Sequence, residues 1–205
     1  MPLADLLYRC PECGHDPTEG EGDVVRCPAC ARSFERGSGD LLLSVQSPDG
    51  ESQYVPTSVL VGQIEGRGGP LSRATGADGS TSYSAEVMVS WRVTEDPIRH
   101  RGELKGFSES MGEPTAATLT VNDDNVSISG PDVEPETWPF LEIRAVQTSS
   151  SSLQLSLPGD RLVQFQLPHD SPRRWEDLLR HLVREAYRRA DRGFVVEFQP
   201  RIVTQ

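Results

Sequence analysis

The sequence predicts a mainly β, α+β protein: a small metal-binding unit, an antiparallel β body and one long helix near the C-terminal end. Three observations predict it. All four cysteines fall between residues 10 and 30 as two Cys-x-x-Cys pairs, the middle of the chain alternates apolar and polar residues between turn clusters, and one late stretch repeats apolar residues at three-four spacing. The 205 residues leave room for one ordinary domain beside a small metal unit, and 36% hydrophobic content suits a folded chain.

The metal unit comes first. Its ligand candidates are Cys10, Cys13, Cys27 and Cys30, read as Cys10-Pro11-Glu12-Cys13-Gly14 and Cys27-Pro28-Ala29-Cys30, with thirteen residues between Cys13 and Cys27. Two intervening residues let one tight turn aim both thiolates at the same ion, and Pro11 and Pro28 pre-set a negative φ at the start of each turn. Gly14 permits the left-handed backbone that points amide N–H groups back at the sulfurs. Structural Zn2+ is the leading occupant; a rubredoxin-like iron site and a pair of disulfides or a redox dithiol are the alternatives. Four thiolates close the coordination shell, so a zinc here holds structure and does no catalysis. His15 is not needed as a ligand. The stretch from about residue 7 to 36 resembles a zinc ribbon, with Ala31 standing where the second knuckle would prefer glycine. Domain bounds follow: residues 1–36 as zinc ribbon, 37–56 as linker with an apolar patch at Leu41-Leu42-Leu43 that docks the ribbon, and 57–198 as the β body.

Charge narrows the partners. The formal net charge is -11, and residues 1–40 alone carry eight acids against four arginines. Nucleic-acid binding draws much of its energy from neutralising phosphates with cations, so this balance argues against a nucleic-acid role and for a protein partner. No signal-peptide pattern and no 18-residue apolar run are visible, and paired thiols without a secretory signal fit a reducing compartment. A cytoplasmic protein without a transmembrane segment is expected.

Elements then follow in order. Val59 to Ile64 reads as a first strand, and Glu65 to Ser82, rich in Gly, Ser and Thr, as a loop. From Ser84 the alternation is strict: Ala85, Val87, Val89, Trp91 and Val93 point one way. Arg101 to Ser108 reads as a strand, and Ala117 to Val121 and Val126 to Ile128 flank an Asn122-Asp123-Asp124-Asn125 turn. Phe140 to Val146 is expected as a strand after a Pro-rich loop. Leu153, Leu155 and Leu157 pair with Val163, Phe165 and Leu167 across Pro158-Gly159-Asp160. The helix over residues 171–191 has Ser171 as cap, Pro172 at its first position and a stripe of Trp175, Leu178, Leu179, Leu182, Val183 and Ala186. Arg180, Arg184 and Arg188 line its other side. Phe194 to Phe198 reads as one more short strand.

Strands in meander order closed by a tryptophan-bearing C-terminal helix resemble the pleckstrin-homology-like superfamily, including its GRAM members, best from Thr115 to Arg189. The resemblance implies a small antiparallel β-barrel of two nearly orthogonal sheets, closed by the helix; a half-open β-sandwich is the alternative. In the lipid-binding branch of that superfamily, basic residues near the opening hairpin grip anionic headgroups, which makes Arg99, Arg101 and Lys105 the candidate anion or lipid site.

Catalytic arrangements fail on named residues. Gly66-x-Gly68 continues to Leu71 where a dinucleotide loop needs glycine, Gly106-Phe107-Ser108-Glu109-Ser110 lacks the last glycine of a nucleophile elbow, and no His-x-x-x-His pair exists. The expected function is a non-enzymatic, zinc-binding cytoplasmic adaptor for a protein partner. Peripheral anionic-lipid binding and a nucleic-acid accessory role through the ribbon are the alternatives.

Overall fold

Alternating apolar residues between tight turns build a first sheet out of the cysteine-bearing end. In the computed structural model, which describes residues 2–37, 39, 41–67, 74–75, 81–149 and 151–192, the chain opens with a short helix, α1 (Leu3–Leu6). Five strands follow: β1 (Glu19–Glu21), β2 (Val24–Arg26), β3 (Ser33–Arg36), β4 (Leu42–Gln46) and β5 (Ser52–Pro56). They form one antiparallel sheet in chain order. The two-residue period sends Val25, Phe34, Leu43 and Val45 into the core, where Leu3 and Leu7 are buried with them.

Of the expected 37–56 linker, residues 42–56 are two paired strands and their turn. Ser47-Pro48-Asp49-Gly50 turns β4 into β5, and β4 pairs with β3, so the segment completes the ribbon's own sheet. The Leu41-Leu42-Leu43 patch does not dock the ribbon either. Only Leu43 turns inward; Leu41 is 82% exposed.

The expected strand at Val59–Ile64 is a helix, α2 (Thr57–Arg67). Leu60 and Ile64, one turn apart, are its buried residues, and that spacing outweighs the strand preference of its β-branched residues. Of the expected 65–82 loop, residues 68–73 and 76–80 lie outside the described residues, while β6 (Ala74–Thr75) pairs with β7 (Thr81–His100). Then come β8 (Glu103–Met111), β9 (Thr115–Val121), β10 (Asn125–Gly130), β11 (Val133–Pro139), a single 3-10 turn (Phe140–Glu142), β12 (Ala145–Thr148), β13 (Ser152–Leu157) and β14 (Arg161–Gln166).

The second sheet runs β11-β10-β9-β7-β14-β13-β12. This is an antiparallel meander, as expected, and its last strand, β14, returns beside β7. It differs from the expected barrel in one respect: β11 and β12 stand at opposite ends of the order and are not paired with each other. The cause lies between them. Phe140–Glu142 forms a 3-10 turn instead of the start of a strand, and it buries Phe140 and Ile143 across the opening. The Pro-rich stretch expected as a loop is itself β11, tolerable because Pro135 and Pro139 sit on an edge strand.

The C-terminal helix α3 (Pro172–Arg189) covers the gap, packing on the 3-10 turn, β12 and β13. Ser171 Oγ accepts the Arg174 N–H at 3.2 Å, the expected cap, and the apolar stripe is buried from Trp175 to Ala186. Each of these side chains contributes roughly 1.5–3 kcal/mol by leaving water. Residues from α1, the first sheet, the second sheet and α3 belong to one continuous buried cluster. The expected strand at Phe194–Phe198 lies outside the described residues.

β7 outruns the body. It pairs with β9 from Tyr83 to Val89 and with β14 from Met88 to Trp91, but from Arg92 onward its partner is β8. The inward alternation read from the sequence holds for Val87 and Val89 and ends at Val93, which is 69% exposed. The distal parts of β7 and β8 form a two-stranded arm.

Candidate metal centre

Two matching turns build the centre. The Gly14 N–H donates to the Cys10 carbonyl at 2.9 Å and the Ala31 N–H to the Cys27 carbonyl at 2.9 Å; the Cys10 N–H reaches the His15 carbonyl at 2.8 Å and the Cys27 N–H the Arg32 carbonyl at 2.9 Å. The two knuckles are copies at the backbone level. Gly14 takes φ 78° and Ala31 φ 56°, so the alanine adopts the left-handed conformation for which the first knuckle uses glycine.

These turns bring all four sequence-designated cysteines together. Their sulfurs lie within 4.8 Å of one another, with Cys10 Sγ 3.7 Å from Cys30 Sγ and Cys13 Sγ 3.5 Å from Cys27 Sγ. A tetrahedral ion with metal–sulfur bonds of about 2.3 Å needs sulfur–sulfur separations of about 3.8 Å, so the set fits a four-thiolate metal ion. All four are free thiols.

The electrostatics favour deprotonation at Cys27 and, through burial, oppose it at Cys10 and Cys30. Burial pushes the Cys10 thiol above the usual range, against the opposing pull of the Cys13 and Glu12 backbone groups. At Cys27 burial also acts upward, but hydrogen bonds from the Cys30 and Ala29 backbone outweigh it and the thiol is held below its usual range. The proline-led turns thus supply the donors that a thiolate needs.

A second set of contacts fastens the centre to α3. Tyr8, two residues before the first ligand, donates its hydroxyl to Asp177 Oδ2 at 2.5 Å. Burial, then the Asp177 carboxylate, push the Tyr8 hydroxyl far above the ordinary tyrosine range, so it stays a donor. Asp16, three residues after Cys13, accepts from Arg174 Nε at 3.0 Å, and Arg174 Nη1 reaches Asp170 Oδ2 at 2.9 Å. Asp170 Oδ2 also accepts from Trp175 Nε1 at 2.7 Å, and Ser171 Oγ donates to the Asp5 carbonyl at 2.6 Å. The Asp16 side chain is 2% exposed and that of Arg174 12%. Burial alone would lower the Arg174 pKa; Asp16 and Asp170 outweigh it and hold the guanidinium charged. A cleft of about 410 Å³ follows this seam past Asp5, Thr18, His169 and Arg174.

The sequence marks Ser171 and Trp175 only as helix cap and stripe, and none of the seam residues as a docking residue. The bonds that cross the seam join residues more than 150 apart, and nothing in the local pattern of Tyr8 or Asp16 separates a docking residue from a solvated one. Arg99, Arg101 and Lys105 are elsewhere, at the tip of the β7–β8 arm. Arg99 Nη1 lies 3.3 Å from the Gly102 carbonyl, Lys105 Nζ 2.6 Å from Glu103 Oε2, and Arg101 sits in the turn at φ 51°. The arm's base is held by Arg92, whose Nη1 is 3.1 Å from Glu109 and 3.4 Å from Glu95. Of the stripe arginines on α3, Arg180 pairs along the helix with Glu176 at 3.0 Å and Arg188 with Glu185.

No protein-family model and no curated protein matches the chain. Among solved structures it is similar to the solution structure of the N-terminal PH domain of human ARAP2, with 11% identity and a TM-score of 0.34, over 62% of this chain and all of that one. Among the described residues, no helix is long and apolar enough to cross a membrane.

Proposed function

We propose that the chain is a non-enzymatic cytoplasmic adaptor that binds a protein partner, with a structural zinc ion on Cys10, Cys13, Cys27 and Cys30. The all-thiolate, tetrahedral set accepts zinc and iron alike; zinc is our reading because closed four-thiolate sites characteristically hold structural zinc. Four protein ligands leave no open position for a substrate or an activated water, which supports a structural role for the ion. The acidic net charge supports a protein partner over nucleic acid.

The observation that carries the binding role is the β7–β8 arm. It leaves the body with Val93, Ile98 and Leu104 each about half exposed or more, and an isolated two-stranded ribbon gains little from holding such side chains in water. Affinity purification from the native cell tests it, with the wild type set beside an Ile98→Ser/Leu104→Ser variant and metal analysis of both. About one zinc in each and a defined protein retained by the wild type alone is the expected result. Equal recovery of the same proteins by both forms would sink the arm as the binding surface.

Anionic-lipid binding at the arm tip is a second reading, favoured by Ile98 and Leu104 flanking Arg99, Arg101 and Lys105. Flotation with anionic vesicles that is unchanged when the three cations become alanine removes it.

A further inference from the structure

Edge strands present unpaired backbone groups, and of the four strands that end the two sheet orders three are guarded. β1 is Glu19-Gly20-Glu21, β11 carries Glu134, Pro135, Glu136 and Pro139, and β12 is packed under α3. At the other end of the first sheet, β5 reads Ser52-Gln53-Tyr54-Val55-Pro56, with no charge and with proline only at its last position. Among the described residues it pairs with β4 alone.

The register tells which groups are free. Ser47 N–H donates to the Glu51 carbonyl at 2.8 Å and Thr57 N–H to the Leu41 carbonyl at 3.0 Å. With Leu43 opposite Val55 and Val45 opposite Gln53, the hydrogen-bonded pairs of this hairpin fall on the odd-numbered residues. Gln53 and Val55 therefore point their backbone groups at β4. Ser52, Tyr54 and Pro56 point theirs outward, so the free edge offers two N–H groups, from Ser52 and Tyr54, and three carbonyls.

We propose that this edge pairs with the same edge of a second copy of the chain, antiparallel, about a two-fold axis at Tyr54. In that register the two Tyr54 residues exchange N–H and carbonyl, and each Ser52 N–H meets the Pro56 carbonyl of the other copy. All four free N–H groups are satisfied, and Pro56 falls where only an acceptor is required. The self-complementary register is what selects a second copy; the net charge of -11 opposes association of like chains, and the strand free of charge is where two copies meet at least cost. Tyr54, 72% exposed, becomes covered at the centre of a ten-stranded sheet.

Sedimentation velocity and light scattering across micromolar to submillimolar concentrations test this, with zinc content and thermal unfolding as folding controls. The wild type is expected to dimerise reversibly. Tyr54→Pro removes an N–H that no intrachain bond uses, and loss of two intermolecular bonds should weaken the dimer roughly thirty-fold. Tyr54→Lys, which leaves every backbone donor in place, should also weaken it by setting two like charges opposite each other. A wild type that stays monomeric throughout the range overturns the proposal, whether a different partner or another part of this chain occupies the edge. So does a dimer that Tyr54→Pro and Tyr54→Lys leave unchanged.

Discussion

The first sheet and the second sheet solve the same problem with different means. The second sheet, with α3 over its gap, buries Leu119, Val121, Ile128, Leu153, Leu155, Phe165 and Trp175, enough apolar surface to hold seven strands without help. The first sheet has five short strands and a handful of buried side chains, among them Phe34, Leu43 and two of its cysteines. A unit of that size has a small core of its own and would gain most from a cross-link, which the four thiols could supply by holding a metal ion. The seam along Tyr8, Asp16 and α3 adds a further support, joining the cysteine-bearing part to the larger sheet. On our proposal the two halves are vulnerable in different ways: one to loss of an ion, the other to loss of volume.

The largest effect should come from the cysteines. Cys27→Ser/Cys30→Ser, or removal of the metal by a chelator, takes away on the order of 10–16 kcal/mol of binding energy in sites of this kind. Amide hydrogen exchange should then show residues 3–56 exposed while β9, β10, β13 and β14 keep their protection. Simultaneous loss of protection in both sheets would show that they fold as one cooperative unit and would remove the distinction.

A smaller effect belongs to the seam. Asp16→Ala takes from the buried Arg174 guanidinium one of its carboxylate partners, Asp170 being another, a loss of about 3 kcal/mol. The cysteine cluster should still take up one metal ion, and the expected signature is faster exchange at α1 and the first turn of α3. Unchanged stability would mean that the seam is maintained by its apolar contacts.

The smallest effect has the opposite sign. Ala31→Gly relieves the left-handed backbone of the second knuckle and should stabilise the first sheet by about 1 kcal/mol, seen as a higher midpoint for its unfolding and slower metal release. The second sheet's midpoint should not move.

What could be read in advance follows the range of the interactions involved. The four ligands were legible because two-residue spacing and proline-led turns are local demands of the metal site, and the structure brings those four sulfurs together. Helix α3 was legible because cap, proline and apolar stripe are also local. Val59–Ile64 misled because a short β-branched run is compatible with either period, and the burial of Leu60 and Ile64 decided for the helix. Val93 misled because alternation shows which side chains share a face and is silent on whether anything lies against that face.

By itself, then, the sequence determined the four clustered cysteines, the alternating strands of the second sheet, the capped amphipathic helix and the acidic balance, since each is written in the residues themselves or in neighbours a few residues apart. Only the tertiary structure decided that residues 42–56 extend the ribbon's sheet, that the β body stays open between β11 and β12, and that Asp16 meets Arg174. The physical reason is common to all three. Strand pairing and buried ion pairs are set by which distant surfaces exclude water together, and that choice is made by the whole chain at once.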